Sequence, residues 1–554
     1  MLIKAELEKL VKKALEGAAA KEGWSLSKEI KVPIERPRES RWGDFASPLA
    51  MQLASQLRMP PRKIAEAIAG QIPDVDFLEK ITVEGPGYLN FILAPVWLAG
   101  QVEEILAQGE AYGNIDIGRG KRVQVEFVSA NPTGPLTVGS GRNAVIGDTL
   151  ANALAAAGYE VQREYYINDA GSQMRLFAET LYARYAQALG RDEPVPEKGY
   201  RGQYMVDLGR EIAEEEGERF LRLPKEEAIQ AVGEIGLRKM LAWIKDDLEA
   251  IGIRYDNWFS ERSLYQDGLF EKVLELLRKK GFITEKEGAV WFASTELGES
   301  KDNVLIRRTG EPTYFASDIA YHYDKFFRRG FDWVIDVWGA DHQGHVPRMK
   351  AMMKALGLDP ARLSIVIYQL VTLKRGGKEV RLSKRTGEII TLRELVDEVG
   401  SDAVRFFLLA RSPDSHMDFD LDLATQRSSE NPVYYIQYAH ARICSIFRHA
   451  GDLDYSDGDV QLLRHPREME LLRQLVRLPE VIEIVVAQLA PHHIAYYAQE
   501  LANAFHLFYR DCRVVSSYPE DREITKARLK LVKATQIILA KVLGLMGVSA
   551  PERM

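Results

Sequence analysis

Two stretches of the chain carry residues suited to handling a phosphate tail. The first, Ser129-Ala130-Asn131-Pro132-Thr133-Gly134-Pro135, leads into a helix expected to open near Gly141. Small residues and prolines let the backbone approach a ligand closely, and a helix start offers unpaired N–H groups to an anion. Gly139 and Gly141 are too few for a dinucleotide fingerprint, and no Walker lysine follows. The second stretch is Arg381-Leu382-Ser383-Lys384-Arg385-Thr386-Gly387, with its cations close together beside a glycine. Such a loop can clamp phosphates and stabilise charge that grows during phosphoryl or nucleotidyl transfer. Taken alone, the first also reads as a plain strand-to-helix turn and the second as a solvated basic loop.

What must position them is a pair of strands. Val123–Val128 alternates as a strand, Gly141–Ala157 reads as an Ala- and Leu-rich helix stopped by Gly158, and Glu160–Ile167 is a further strand. A second unit repeats the pattern: strand Trp333–Trp338, loop Gly339–Gly344, helix His345–Leu356 and strand Leu363–Leu370. A glycine-rich basic loop, Lys374–Lys378, follows it. Two βαβ halves describe a doubly wound, Rossmann-like sheet. Its ligand site lies at the carboxyl ends of the strands, where the sheet reverses direction. The two motifs are therefore expected to meet across one crevice.

Between the halves, Ser172 to Lys280 reads as helical, with Leu237, Met240, Leu241, Ile244, Leu248 and Ile251 recurring at three and four residues. Residues before about 112 read α+β, with a helix at Pro61–Ala69 and a strand pair about the turn Glu84-Gly85-Pro86-Gly87. Tyr112–Gly120 reads as a linker, and everything from Ser401 to near Leu545 as helix. The fold class is thus multidomain α/β plus α.

Composition narrows the class further. With 46% hydrophobic and 28% charged residues, the chain is an ordinary globular protein of several domains. It shows no run apolar enough for a membrane span and no secretory or transit pattern, so the cytoplasm is the expected location. Cys444 and Cys512 are too few and too far apart for a metal knuckle, and no protein-bound metal is expected. A net charge of −7 does not advertise nucleic-acid binding, yet a local basic stripe can serve on an acidic surface.

Longer segments carry a family resemblance. Glu126 through Asn143 resembles the "HIGH" region of bacterial arginyl-tRNA synthetases, and Leu382–Gly387 their "KMSKR" loop. Glu164–Gly171, Gly339–His342, Phe406–Leu421, Asn431–Arg442 and the ending Pro551–Met554 match as well, in the family's order along nearly the whole chain. The resemblance implies a class I enzyme that uses ATP, delivered with Mg2+, to activate L-arginine and join it to tRNA(Arg), acting as a monomer. It implies an N-terminal additional domain over residues 1–112 that meets the tRNA elbow. A catalytic domain over 113–395, with an insertion at about 190–312, and a helical anticodon-binding domain over 396–554 follow.

The resemblance also distributes roles. Lys384 would be the main transition-state cation, with Arg381, Ser383 and Arg385 beside it and Thr137 and Ser140 opposite. Pro135, Gly139, Gly141, Asn143, Gly339, Asp341, His342 and Gln369 would approach ATP. Tyr314 and Asp318, four apart and on one face if helical, would take the arginine guanidinium, with Glu126 a further acid. Ser129 and Asn131 would hold the amino-acid end. Tyr434, Tyr435, Tyr438 and Arg442 would meet unstacked anticodon bases, while Val433, Ile436, His440, Ile443 and Phe447 pack the same helix into its bundle. The first motif departs from the family: Thr137 and Ser140 stand where two histidines are usual, and no histidine precedes His322. Their hydroxyls donate hydrogen bonds but add no positive charge. Activity is expected to survive. A paralogue that has lost catalysis, a class I synthetase for another amino acid and an unrelated nucleotidyltransferase are the alternatives.

Overall fold

The computed structural model describes residues 3–26, 30–37, 39–380 and 390–554. At its centre five strands run parallel: in chain order Arg122–Glu126, Glu160–Ile167, Asn257–Ser260, Trp333–Gly339 and Leu363–Tyr368. In space they lie fifth, fourth, first, second, third. The chain therefore reverses direction between the first and fourth strands, and that is where a doubly wound sheet opens its crevice.

The helix Val138–Ala156 follows the first strand and is buried on nearly every face. That is why small and apolar residues occur all round it rather than along one stripe, with Arg142, Asn143 and Asp148 buried among them. Gly147 has no room for a side chain, since a Cβ there would stand 2.2 Å from the Phe127 ring. Helix and sheet meet through Val123, Val125, Ile335 and Val337, all essentially inaccessible to solvent.

Three departures from the sequence reading concern strands. The stretch expected to be wholly helical from Ser172 to Lys280 holds the third strand, Asn257–Ser260, paired to the second through Tyr165↔Trp258. Residues 190–312, expected as one insertion, thus contribute a strand to the central sheet. The rest of that region forms helices Gln203–Glu216 and Lys225–Ala250 and a small antiparallel sheet of Ile283–Lys286, Ala289–Phe292 and Asn303–Ile306. The basic loop at Lys374–Lys378 is a hairpin between strands Val371–Arg375 and Lys378–Glu379. The region expected to be all helix after Ser401 includes strand Met417–Asp420, parallel to Val371–Arg375. Asn257–Ser260 and Met417–Asp420 are four residues long and find their partners far away in sequence, where periodicity gives no signal.

At the N-terminus, strands Phe45–Ser47, Tyr88–Leu93 and Leu78–Glu84 form an antiparallel sheet, the last two joined at the expected turn. At the C-terminus, helices Pro432–Ala450, Pro466–Leu475, Leu478–Gln488, His492–Asp511 and Arg522–Leu545 form a bundle. Among the described residues no helix is long and apolar enough to cross a membrane.

Candidate functional site

The first strand leaves the sheet at the crevice by a strained route. Val128 and Ser129 both adopt left-handed backbone conformations, φ 67° and 40°. For a β-branched residue that is a costly place, about 1–3 kcal/mol, and such strain persists only where the surroundings impose it. Here they do. Asn143 accepts from the Val128 N–H at 2.8 Å and donates to the Val337 carbonyl at 2.9 Å. Hydroxyls of Tyr165, Tyr204 and Tyr255 donate to the carbonyls of Ala130, Thr133 and Phe127.

Asn143, expected near ATP, is placed at the base of this exit. It is buried, and both halves of its amide are bonded to backbone, so it ties the exits of the first and fourth strands together. Gly141, also expected near ATP, is tightly packed. A Cβ there would meet Leu392 at 2.7 Å, so this glycine is a close-packing position, and its N–H bonds the Thr137 carbonyl within the helix.

The helix start itself faces the crevice. Thr137 is its N-cap: the Thr137 hydroxyl accepts from the Ser140 N–H at 3.3 Å and lies 3.2 Å from the Ser140 hydroxyl. The two residues that replace histidines are thus mutual partners at the positive end of a helix dipole. Gly139, next to them, is half-buried with only the Thr137 hydroxyl nearby, and Pro135 is half-buried in the loop before. Thr137 also pairs with Thr391, and Leu392 N–H donates to the Leu136 carbonyl at 2.8 Å. The segment that follows the second motif is thereby fastened to the first. Arg381, Ser383, Lys384 and Arg385 lie outside the described residues. A cavity of about 1260 Å3 flanks this junction, bounded in part by Gly134, Pro135, Thr137, Tyr204, Trp243 and Arg393.

On the far wall, Gly339 ends the fourth strand, and a Cβ there would come within 2.5 Å of the Asp341 carboxylate. Asp341 and His342 are exposed and 3.3 Å apart. The Gln369 backbone is locked from both sides, its N–H to Pro413 and its carbonyl to Arg142. Arg142, which the sequence reading did not single out, is fully buried and also bonds the carbonyls of Ser412 and Ser415. Burial lowers its guanidinium to about 10.

Beneath the crevice lies a set of charges. Tyr314 and Asp318 fall on one helix, Tyr314–Tyr323, where residues four apart share a face. Tyr314 is 50% exposed at its first turn, with Asp318 one turn further in. Burial raises the Asp318 carboxyl to about 6, with Glu126 and Asp336 adding and His322 and Arg348 opposing. A second carboxyl faces it. Burial raises Glu261 to about 7, reinforced by Asp318 and Asp169 and opposed by Ser317, and its Oε2 has no hydrogen-bond partner. Glu261 was missed because it directly follows the third strand, which reads as helix; the aromatic pair Trp258-Phe259 was the only strand signal.

Glu126 is placed differently from Asp318. Its carboxylate accepts from Lys325 at 2.6 Å and from the Ser129 hydroxyl at 2.9 Å. Lys325 is fully buried in a π-helical turn, Asp324–Arg328, and also bonds Asp336 at 3.0 Å. Asp336 in turn meets His322 Nε2 at 3.0 Å. Burial would raise the Asp336 carboxyl, but Lys325 and His322 outweigh it and hold it at about 2. Glu126, expected as a further acid for the guanidinium, is thus already bonded to Lys325 and Ser129. The Ser129 hydroxyl is engaged as well, donating to Glu126 and accepting from the Tyr166 N–H. Asn131 stands exposed in the loop.

The fourth group of residues lies on the C-terminal bundle. The Arg442 guanidinium sits 4.5 Å from the Tyr438 ring centre and 4.9 Å from that of Tyr509. Together they wall a cavity of about 1140 Å3 with Arg510, Arg513 and Arg553, a basic patch on a chain of net negative charge. Tyr434 stacks on Tyr438, outside the cavity wall. Tyr435 turns away and packs on His506, with ring centres 4.4 Å apart. The structure thus brings Tyr438 and Arg442 to one surface and leaves Tyr435 in the helix interface.

The comparisons with known proteins agree along the chain. The profile of the tRNA synthetases class I (R) catalytic domain matches residues 101–418, that of the arginyl tRNA synthetase N terminal domain residues 5–93, and that of the DALR anticodon binding domain residues 436–554. An arginine–tRNA ligase of Dehalococcoides mccartyi (strain CBDB1) is 54% identical, over 97% of this chain and 96% of its own. One from Carboxydothermus hydrogenoformans is 50% identical over 98% of each chain. The solved Thermus thermophilus arginyl-tRNA synthetase superposes with a TM-score of 0.78 at 25% identity, covering 100% of both chains.

Proposed function

The chain belongs to the class I arginyl-tRNA synthetase family, whose activity is arginine–tRNA ligation with ATP, and on that premise we propose which of its residues carry the reaction. The observation that bears most weight is the capped, outward-facing start of the Val138–Ala156 helix, fastened through Thr137 to Thr391 just beyond the cationic motif. A triphosphate laid across that junction would meet the helix N–H groups and the Thr137 and Ser140 hydroxyls on one side. Lys384, Arg381 and Arg385 would close on it from the other. Mg2+ would arrive as the ATP complex.

Arginine would enter with its guanidinium toward Asp318 and Glu261, carboxyls both raised chiefly by burial, Glu261 further by the charge of Asp318. A cation held between them offsets the cost of burying their charges. Tyr314 would cover the open side, and Asn131 and Glu126 would face the amino-acid end. The arginine carboxylate then attacks the α-phosphate of ATP, pyrophosphate leaves, and the terminal ribose 2′ hydroxyl of tRNA displaces AMP from the adenylate. The protein's part is to position the groups and stabilise the growing charge. Tyr438, Arg442 and Tyr509 would stack unpaired anticodon bases, a sequence-tolerant contact that suits aromatic and guanidinium planes. The Ile3–Glu22 helix and the antiparallel sheet beside it would meet the tRNA elbow, and one chain would be the working unit.

Asp318→Asn tests the arginine assignment. It should weaken arginine use in aminoacylation by about a hundredfold, the scale of a lost charge-assisted pair, and leave tRNA affinity within twofold or so. An unchanged KM for arginine would remove Asp318 from the site.

A further inference from the structure

The last ten residues run as a strap from the basic cavity of the C-terminal bundle to the helix that opens at Thr137. At one end Arg553 and Met554 line that cavity beside Arg442 and Tyr509. Moving inward, the Glu552 carbonyl accepts from Arg448, and the Pro551 carbonyl lies 3.0 Å from His440 Nδ1. Ser549 is held by Asp402 and Gln437, its N–H donating to Asp402 at 2.9 Å. Gly547 has φ +65°, and a Cβ there would stand 2.2 Å from the Arg405 guanidinium carbon. At the inner end the Leu545 carbonyl accepts from Asn152 at 3.0 Å.

Arg405 is where the strap meets the catalytic domain. It is completely buried, and its guanidinium bonds three separate parts of the chain. Nε donates to the Met546 carbonyl at 2.6 Å, one terminal nitrogen to the Ile251 carbonyl at 2.7 Å, and the other to the Asp148 carboxylate. Asp148 and Asn152 both lie on the Val138–Ala156 helix. Arg163 joins them from the second strand, bonding Asp148 at 3.2 Å and Asn152. Ile251 stands shortly before the third strand, whose end leads into Glu261. A planar five-donor group can bridge three such acceptors at fixed angles, which an ammonium cannot.

We propose that Arg405 is a positioning residue for the reaction. Through the strap it converts occupancy of the Arg442–Tyr509 cavity into the placement of the Thr137 helix start, and so into rate rather than affinity. This rests on the reading of that cavity as the anticodon face. Coupling between distant sites is carried by chains of packed and bonded elements, and the side-chain links of this one are named bonds.

The experiment uses the full enzyme with two tRNA transcripts, the cognate and one with its anticodon loop replaced. It measures kcat at saturating tRNA and, separately, tRNA Kd. For the unaltered protein kcat should fall about tenfold with the replaced loop, a usual scale for coupling between sites. Arg405→Lys should show that low kcat on both transcripts, with Kd for the cognate within about twofold of normal. Asn152→Ala, a milder cut in the same path, should move kcat in the same direction and guards against a misfolded Arg405→Lys. Equal proportional losses on both transcripts would mark a merely structural role and overturn the proposal. So would a kcat indifferent to the anticodon in the unaltered protein. Failure of the underlying reading looks different: Arg442→Ala would then leave tRNA Kd unchanged.

Discussion

Replacing Glu261 by Gln separates what the arginine pocket costs the fold from what it does for the substrate. Glu261 is only 4% exposed, and its carboxyl is raised from an ordinary 4.5 to about 7, chiefly by burial and then by Asp318. A carboxyl whose folded value is raised contributes stability that is complete below its unfolded value and is lost as pH climbs through the folded one. Above pH 7 or so the folded protein therefore carries a penalty of about 2.5 units at 1.36 kcal/mol each, or roughly 3 kcal/mol. Glutamine keeps the shape and removes the charge. The variant should gain up to that amount in denaturant unfolding at about pH 8 without arginine, and nothing near pH 4. Arginine binding should move the opposite way. Binding a guanidinium needs both carboxyls ionised, and with apparent values of about 7 and 6 the doubly ionised fraction drops about twentyfold from pH 8 to pH 6. The kcat/KM for arginine of the unaltered enzyme should fall by that factor over this window, since that ratio reports groups of the free enzyme. In Glu261→Gln the upper step should vanish and the ratio at high pH should drop about a hundredfold. A flat profile between pH 6 and pH 8, or a variant that is both destabilised and unaltered toward arginine, would refute the reasoning.

Two further outcomes follow from the same geometry. Thr137→Ala removes an N-cap and a hydroxyl at the helix start. It should cost about 1 kcal/mol in thermal unfolding and lower kcat for adenylate formation by about tenfold with little change in KM for ATP. Lys325→Met leaves Glu126 and Asp336 buried without their cation, so urea unfolding should show a loss of about 3–5 kcal/mol. A smaller loss than that of an exposed lysine control would place the lysine elsewhere.

The sequence made the central architecture legible where periodicity is long and uninterrupted. The strand Glu160–Ile167, the helix Pro61–Ala69 and the hairpin about residues 84–88 lie where their patterns put them. Tyr314 and Asp318, four apart, do lie on one helix, the condition under which they share a face. What stayed hidden depends on distant partners. Asn257–Ser260 is four residues between long helical patterns, and only pairing with Glu164–Ile167 makes it a strand. Met417–Asp420 contains two aspartates, poor strand formers, and is held by Val371–Lys374. The expectation that Asn143 and Gly141 approach ATP came from the resemblance of Glu126–Asn143 to the family's first motif. The Asn143 amide is bonded into the strand exits, and Gly141 lies where a Cβ would meet Leu392. Lys325 and Glu261 carried no motif at all. Their importance comes from burial beside other charges, which a one-dimensional pattern does not contain.

The central claim is that the Thr137 helix start and the Lys384 loop act on one phosphate tail from opposite sides. A double-mutant cycle on kcat for arginine-dependent pyrophosphate exchange, using Thr137→Ala, Lys384→Ala and the pair, measures that directly. Lys384→Ala alone should lower kcat far more than it raises KM for ATP, and the double variant should be roughly tenfold faster than the product of the single losses requires, a coupling of about 1.4 kcal/mol. Strict additivity, or losses confined to KM, would contradict a shared transition state between them.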